Sequence, residues 1–178
     1  DEKQLRLMTP LAKYYTAKLA VWAASESMEV LGGNGYIEEF VTARLLRDAQ
    51  VLPIWEGTTN ILVLDAIRAM TKEQSHKPLL ASVERRLEST NQGLAERISN
   101  RKHLLNAELE GLLRERNVFT GRSVTDSLVK VVQASLLAAD QHENGQDVTE
   151  YFIEKHFYGK VREELARKIV AFESQASF

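Results

Sequence analysis

Hydrophobic residues recur at helical spacing along most of the chain. The first stretch carries a long apolar face, formed by Leu5, Met8, Leu11 with Ala12, Tyr15, Leu19, Trp22 and Val30. This pattern predicts a helix that runs to about Leu31. It is expected to be well formed from about Pro10, because proline lacks the N–H that a helix interior needs. The run Gly32-Gly33-Asn34-Gly35 predicts the end of this helix.

Two shorter helices are predicted next. The first covers Phe40–Asp48 and is followed by an irregular connector over Ala49–Gly57, because Pro53 disfavours helical geometry in the residue before it. The second runs from Asn60 to about Thr71, and its N-cap candidates are Thr58 and Thr59. Its buried stripe is predicted to include Ile61, Leu64 and Ile67.

The polar stretch Ser75–Pro78 predicts a boundary, with proline near the start of a new helix. Beyond it, an apolar stripe is formed by Leu79, Val83, Leu87, Leu94, Ile98, Leu105, Leu109 and Leu112. Gly93 and Gly111 interrupt the stripe, so one kinked helix and two shorter ones both fit. Further helices are predicted at Ser123–Gln141 and Val148–Glu173. No segment pairs strand alternation with turn residues, and the predicted fold class is all-α.

Composition excludes several classes of function. The 178 residues contain no cysteine, which excludes disulfide frameworks, Cys-ligated metals and thiol nucleophiles. A net charge of −2 gives no bulk attraction to nucleic acid or anionic membranes. No apolar stretch approaches the ~20 residues of a membrane-spanning helix. The four histidines include no pair at the spacing that places two ligands on one helix face, so no metal site is predicted.

Two loops carry the candidate chemistry. Gly32–Tyr36 follows the first helix; one glycine is an ordinary helix cap, whereas two in succession let a bulky ligand approach the backbone. Glu56 stands two residues ahead of a capping threonine, where the helix dipole and unpaired N–H groups favour negative charge. Taken singly, each loop fits a plain helix terminus as well as a ligand site.

Together the loops resemble the C-terminal helical domain of the acyl-CoA dehydrogenase family. The resemblance covers roughly residues 5–71 and rests on three segments, Met28–Tyr36, Arg44–Ala49 and Ile54–Thr58. It implies an up-and-down helical bundle in residues 1–74, which carries the flavin and catalytic loops, and a helical extension in residues 75–178. It also implies that the rest of the flavin and acyl-CoA pockets lies outside these 178 residues, so this piece alone is expected to be inactive.

The resemblance implies an FAD enzyme that removes a proton from the α-carbon and a hydride from the β-carbon of an acyl-CoA. Electrons would pass to an electron-accepting flavoprotein or another acceptor. Glu56 matches the general base, and its backbone N–H matches a donor to the thioester carbonyl. Trp55 and Gly57 match substrate contacts. A core ion pair at Glu56, or a position far from the double-glycine turn, would count against this role.

The cofactor contacts implied by the resemblance come from two places. One segment matches a stretch that reaches the FAD of a neighbouring subunit, through Glu29, Gly32 and Gly33. The other matches contacts to the flavin phosphate and ribityl chain, through Thr58, Thr59 and Asn60. A homo-oligomer, dimer or tetramer, is therefore implied. Glu29 replaces a common glutamine and can only accept hydrogen bonds when ionised, so the adenine side departs from the family pattern.

Two alternatives stay open. The segments Trp55–Gly57 and Leu64–Arg68 look closer to the AidB-like branch, which keeps the fold and FAD and includes a DNA-binding protein. A flavoprotein that binds acyl-CoA or DNA without efficient turnover is therefore the second hypothesis, and a helical interaction module is the third. Nucleic acid is not favoured, because positive and negative charges balance in residues 72–178. The basic clusters Arg85-Arg86, Arg97 and Arg101–His103 are interpreted as solvated, partly ion-paired faces.

Overall fold

The computed structural model describes residues 1–115, 118–140, 142 and 144–175. These residues form helices and no strands, which confirms the all-α prediction. In chain order the elements are α1 (Glu2–Leu31), α2 (Gly33–Tyr36), α3 (Val41–Val51), α4 (Thr59–Glu73), α5 (His76–Leu87), α6 (Gln92–Glu115), α7 (Val118–Ala138), α8 (Gly145–Ile153), a π-helix (Glu154–Tyr158) and α9 (Glu163–Gln175).

The chain forms two compact units. The first contains Asp1–His76 and α7 as far as Asp126; the second contains the chain from Lys77 to the end of α6, and α7 onward from Ser127. The boundary between His76 and Lys77 falls inside the predicted polar stretch. Assignment of residues 1–74 and 75–178 to separate domains stays a prediction, because compactness alone does not define an independently folding domain.

In the first unit, α1 packs against α3 and α4. The buried apolar residues of α1 are Leu7, Leu11, Tyr14 and Ala17, and those of α4 are Val63, Ala66, Ala69 and Met70. The predicted faces were therefore largely wrong: Leu5 is 67% exposed, Trp22 56% and Ile61 58%. Both helices carry apolar residues on more than one side, and periodicity does not tell which side packs within the chain.

Helix α1 begins earlier than predicted and continues through Pro10, which is buried. Asp1 caps it by accepting a hydrogen bond from the Lys3 amide at 3.0 Å. Arg6 ties α1 to α4 through two hydrogen bonds to Asp65, at 2.8 and 2.6 Å. Because Arg6 donates these bonds, the pKa of Asp65 lies below its usual value. This pair fixes α4 beside the first turns of α1.

Helix α3 extends beyond its predicted end and reaches Val51, and Leu52 keeps helical angles of φ −57° and ψ −44° although it precedes Pro53. The prediction that Pro53 would keep Leu52 out of helical geometry was therefore wrong, and the irregular connector is shorter than predicted. Helix α4 begins at Thr59, with Thr58 as its N-cap residue as predicted. The connector between these two helices carries the predicted catalytic residue.

In the second unit, the apolar stripe of α5 and α6 is buried at Leu79, Val83, Leu94, Ile98, Leu105, Leu109 and Leu112. The remaining member of the predicted stripe, Leu87, is partly exposed. The stripe belongs to two helices, and the break precedes Gln92. There Asn91 Oδ1 accepts hydrogen bonds from the amides of Gly93, at 3.0 Å, and Leu94, at 3.4 Å. Helix α7 begins before the predicted Ser123, and the predicted end at Gln141 lies outside the described residues.

The single helix predicted over Val148–Glu173 was wrong, because Gly159, at φ 71°, ends the π-helix. Glu154 holds the turn that follows: its carboxylate accepts from the Arg162 amide at 2.8 Å and from Arg162 Nε at 2.6 Å. Burial raises the pKa of Glu154, but these bonds and the Arg97 charge outweigh it, so the pKa lies below its usual value.

Of the two predicted basic clusters, the one formed by Arg97 and Arg101–His103 contains ion pairs, whereas Arg86 bonds the hydroxyls of Ser82 and Ser135. Lys102 Nζ donates to Glu84 at 2.5 Å, and Arg101 bonds Glu108 at 3.0 Å. Arg97 pairs with Glu150 at 3.3 Å. Lys102 is buried rather than solvated, which corrects the prediction for that residue.

Candidate active site

The connector from α3 to α4 makes a sharp turn at Glu56. The amides of Ile54 and Trp55 both donate to Val51 O, at 3.0 and 3.1 Å. Glu56 then adopts φ 58°, and Gly57 follows at φ 110°. The left-handed region is rare for glutamate and costs about 1–3 kcal/mol when the surrounding structure enforces it. Backbone strain is therefore present at the predicted general base; the other left-handed non-glycine residue described in the first unit is Gln74, at φ 56°, which caps the end of α4.

A lysine from α1 holds this connector. Lys13 Nζ donates to Leu52 O at 2.5 Å and to Trp55 O at 3.1 Å. These carbonyls lie just past the C-terminus of α3, where a cation is favoured by the helix dipole. Lys13 thus joins the middle of α1 to the peptide that precedes Glu56.

The carboxylate and the backbone N–H of Glu56 have no partner within the described residues. The carboxylate is exposed, and within the described part of the chain neither it nor the backbone N–H makes a hydrogen bond or an ion pair. Of the two conditions that would count against Glu56 as a base, a core ion pair and a position far from the double-glycine turn, the first is not met. The residue therefore presents both an acceptor and a donor toward its surroundings.

Two open grooves meet at Glu56. Each has a volume of about 550–560 Å³, within the range of small-molecule sites, and both are bordered by Lys13 and Glu56. The first is otherwise lined by Thr16, Ala17, Ala20, Val51, Leu52 and Trp55. The second is lined by residues of the first turns of α1 and by Leu62 and Asp65 of α4. Trp55 is 69% exposed beside the first groove.

The three glycines of the double-glycine turn differ in backbone conformation and in the space beside them. Gly32 ends α1 at φ 58°, its amide donating to Glu29 O at 3.0 Å. A Cβ added at Gly32 or Gly33 would meet nothing within 4 Å, whereas one at Gly35 would lie 2.3 Å from Met28 O. Gly32 is thus the helix cap, Gly35 permits close packing, and Gly33 has open space beside it. Glu29 is exposed.

The first turn of α4 has no side-chain cap, although Thr58 occupies the N-cap position. The amide of Leu62 bonds Thr58 O at 3.0 Å, and Thr59 is buried while Asn60 is exposed. The first amides of this helix therefore keep the donor capacity that suits an anionic group such as a phosphate.

Within one chain, the two loops do not meet. Glu56 lies beside Lys13, whereas Gly32 follows the last residue of α1, about 28 Å further along the helix axis at ~1.5 Å per residue. The expectation that Glu56 lies near the double-glycine turn was therefore wrong for a single chain, because α1 is continuous between them.

Sequence reasoning missed Lys13. Its bonds to Leu52 and Trp55 join residues 39 and 42 positions apart, and no local spacing indicates such pairing. A lysine among the apolar positions of α1 was the one available signal, and it is a weak one because long charged side chains often cover apolar surface.

Comparison with known proteins supports the resemblance. Residues 1–71 match the family model for the acyl-CoA dehydrogenase C-terminal domain. This part of the chain is therefore similar to the C-terminal domain of acyl-CoA dehydrogenases, the family that the sequence motifs resemble. Acyl-CoA dehydrogenase family member 11 of Caenorhabditis elegans is 49% identical over 75 residues, 42% of this chain and 12% of that protein. The putative acyl-CoA dehydrogenase AidB of Escherichia coli K12 is 45% identical over 76 residues, 43% of this chain and 14% of that protein.

The acyl-CoA dehydrogenase likeness extends to a solved structure. The crystal structure of Caenorhabditis elegans ACDH-11 in complex with C11-CoA matches with a TM-score of 0.73 and 28% identity, covering 99% of this chain and 34% of that one. The chain thus spans a small part of the acyl-CoA dehydrogenases that it matches.

Among the described residues, no helix combines the length and apolar character needed to cross a membrane.

Proposed function

We propose that this chain is the C-terminal part of an FAD-dependent acyl-CoA dehydrogenase that oxidises the α,β-bond of acyl-CoA thioesters, with Glu56 as the general base. The observation that carries the proposal is the state of Glu56. Its carboxylate and its backbone N–H are both without partners in the described chain, and both belong to a strained turn between two grooves.

This pairing of groups suits the reaction. The α-proton of a thioester is weakly acidic, so its removal needs a positioned base and a hydrogen bond to the carbonyl oxygen on which negative charge develops. Glu56 would supply the base through its carboxylate and the hydrogen bond through its amide. FAD, when bound, supplies the acceptor for the β-hydride. Trp55 and Gly57 would contact the acyl chain and the thioester.

The proposed cofactor contacts fit the local structure. The uncapped first turn of α4, with Thr58, Thr59 and Asn60, offers donors to a phosphate or a ribityl chain. The open space at Gly32 and Gly33 lets a second chain's flavin approach the backbone beside Glu29. Because Glu56 lies beside the middle of α1 and the double-glycine turn follows its C-terminal end, the proposed enzyme is a homo-oligomer, a dimer or tetramer, that passes electrons to a flavoprotein or another acceptor.

The test uses the complete flavoprotein with acyl-CoAs of graded chain length, and it follows flavin bleaching. Glu56→Gln removes the base but keeps side-chain size, and turnover should fall about 10²–10⁴-fold with FAD content unchanged. Glu88→Gln, an exposed glutamate after α5, is the matched control and should retain turnover. Near-normal bleaching by the Glu56→Gln protein would remove Glu56 from this role.

A second candidate rests on the 45% identity to AidB. An AidB-like flavoprotein would bind acyl-CoA or DNA without efficient turnover, so acyl-CoA would perturb the flavin spectrum without reducing it. Salt-sensitive retention on duplex DNA would favour the DNA form. The internal pairing of Arg97, Arg101 and Lys102 argues against those residues as its contact surface. A bare helical interaction module predicts no flavin in the complete protein.

A further inference from the structure

We propose that Lys13 is a positioning residue that orients and polarises the Trp55–Glu56 peptide. The inference rests on the proposed function, in which the Glu56 amide donates to the thioester carbonyl. It adds a residue from α1, far from the catalytic loop in sequence, to the machinery that stabilises the developing oxyanion.

The contact is specific to this peptide. Lys13 Nζ lies 3.1 Å from Trp55 O and 2.5 Å from Leu52 O, so the ammonium is shared between two carbonyls of the connector. Its helix is anchored on either side of Lys13 by the buried residues Leu11 and Tyr14. A cation fixed on a packed helix therefore sets the position of the Trp55 carbonyl.

Peptide geometry transmits this constraint to Glu56. Trp55 O and the Glu56 N–H belong to one planar trans amide, in which the C=O and N–H bonds point in opposite directions. Fixing the oxygen on Lys13 therefore fixes the direction of the N–H. A charge-assisted bond at the oxygen also polarises the amide and makes its N–H a stronger donor. That N–H has no acceptor within the described chain.

The same contact explains how the strained turn persists. Left-handed angles at a glutamate survive only where neighbouring groups determine them, and Lys13 holds the residue immediately before Glu56. Lys13 borders both grooves beside the Glu56 carboxylate yet bonds carbonyls rather than that carboxylate. The Lys13 ammonium thus strengthens the Glu56 N–H as a hydrogen-bond donor without forming an ion pair with the Glu56 carboxylate.

The test compares Lys13→Met, Lys13→Arg and Lys18→Met in the complete flavoprotein. Lys18 is an exposed lysine of α1 and serves as the matched control. Lys13→Met should lower kcat about 10- to 100-fold with KM changed less than about threefold, because the lost interaction acts on the transition state. Lys13→Arg, which restores a cation, should recover most of this loss, and Lys18→Met should match the unaltered protein.

A vibrational readout separates positioning from general damage. In the complex with a 2-enoyl-CoA, a hydrogen bond to the thioester carbonyl lowers its stretching frequency, and Lys13→Met should reduce that lowering while Lys18→Met should not. Unchanged kcat together with an unchanged carbonyl frequency in Lys13→Met would overturn the proposal. If Lys13→Met lowers flavin occupancy, Lys13→Gln, which keeps an N–H donor without the charge, is judged by the same two measurements.

Failure of the proposed function is distinguishable from failure of this inference. Absence of flavin bleaching in the unaltered protein with every acyl-CoA would refute the proposed dehydrogenase. In that case, amide hydrogen exchange over Leu52–Gly57 would still test whether Lys13 positions the connector. Faster exchange there in Lys13→Met than in Lys18→Met supports positioning, and equal exchange overturns it.

Discussion

Gly35 is the glycine of the double-glycine turn at which an added methyl group would collide with the backbone, so Gly35→Ala should destabilise the fold. A Cβ at this position would lie 2.3 Å from Met28 O, about 0.7 Å inside the 3.0 Å that real Cβ atoms keep. Gly35 cannot shift freely, because its amide bonds Gly32 O and its carbonyl accepts from Thr42 Oγ1, each at 2.9 Å. Overpacking costs about 1–3 kcal/mol, and weakening two bonds adds about 1 kcal/mol. We expect Gly35→Ala to destabilise the first unit by about 3 kcal/mol.

Urea unfolding measures this difference when it is followed by tryptophan fluorescence, because Trp22 and Trp55 both belong to the first unit. Gly33→Ala is the control: its Cβ would enter open space, and stability should stay within about 0.5 kcal/mol of the unaltered chain. In the complete protein, Gly33→Ala should instead weaken flavin retention if a neighbouring chain's flavin approaches there. Equal stability of the two variants would refute the steric reasoning.

Two further predictions concern ionisation and strain. Because the pKa of Glu154 is lowered in the folded protein, its stabilising effect is complete above the usual glutamate pKa near ~4.3 and is lost as the pH falls below that value through the lower folded-state pKa, so Glu154→Gln should flatten the dependence of Tm on pH below about 5. An unaltered slope in that variant would exclude Glu154 as its source. Glu56→Asn should raise stability by about 1 kcal/mol while abolishing turnover, because asparagine tolerates left-handed angles better than glutamate; a lower urea midpoint would contradict this.

The sequence predicted well where helices form, but it predicted poorly which face of some helices is buried. The stripe from Leu79 to Leu112 identified the buried face of α5 and α6, since those helices are apolar on one side. In α1 the same reasoning selected Leu5 and Trp22, which are exposed, because a second apolar side competes and only the three-dimensional packing decides. The break at Gly159 was missed because the apolar spacing continues across it.

The sequence supplied candidate residues for the site, which stay predictions, but it did not indicate their geometry. The motif around Glu56 came from resemblance, and the helix cap at Gly32 from the glycine itself. The left-handed angles of Glu56 have no local signal, since glutamate seldom adopts them. The bonds from Lys13 depend on how α1 passes the connector, which no spacing in the sequence encodes.

The length of α1 has a genetic consequence under the proposed arrangement. In that arrangement the Glu56 half of the site lies beside the middle of α1 and the glycine half follows its C-terminal end, so every complete site takes its glycine half from another copy. Consider a dimer of one chain substituted at Gly33 and one chain substituted at Glu56. One of its two sites contains both substituted residues, and the other contains neither. Two variants that are each inactive when expressed alone should therefore restore part of the activity when they are expressed together in one cell.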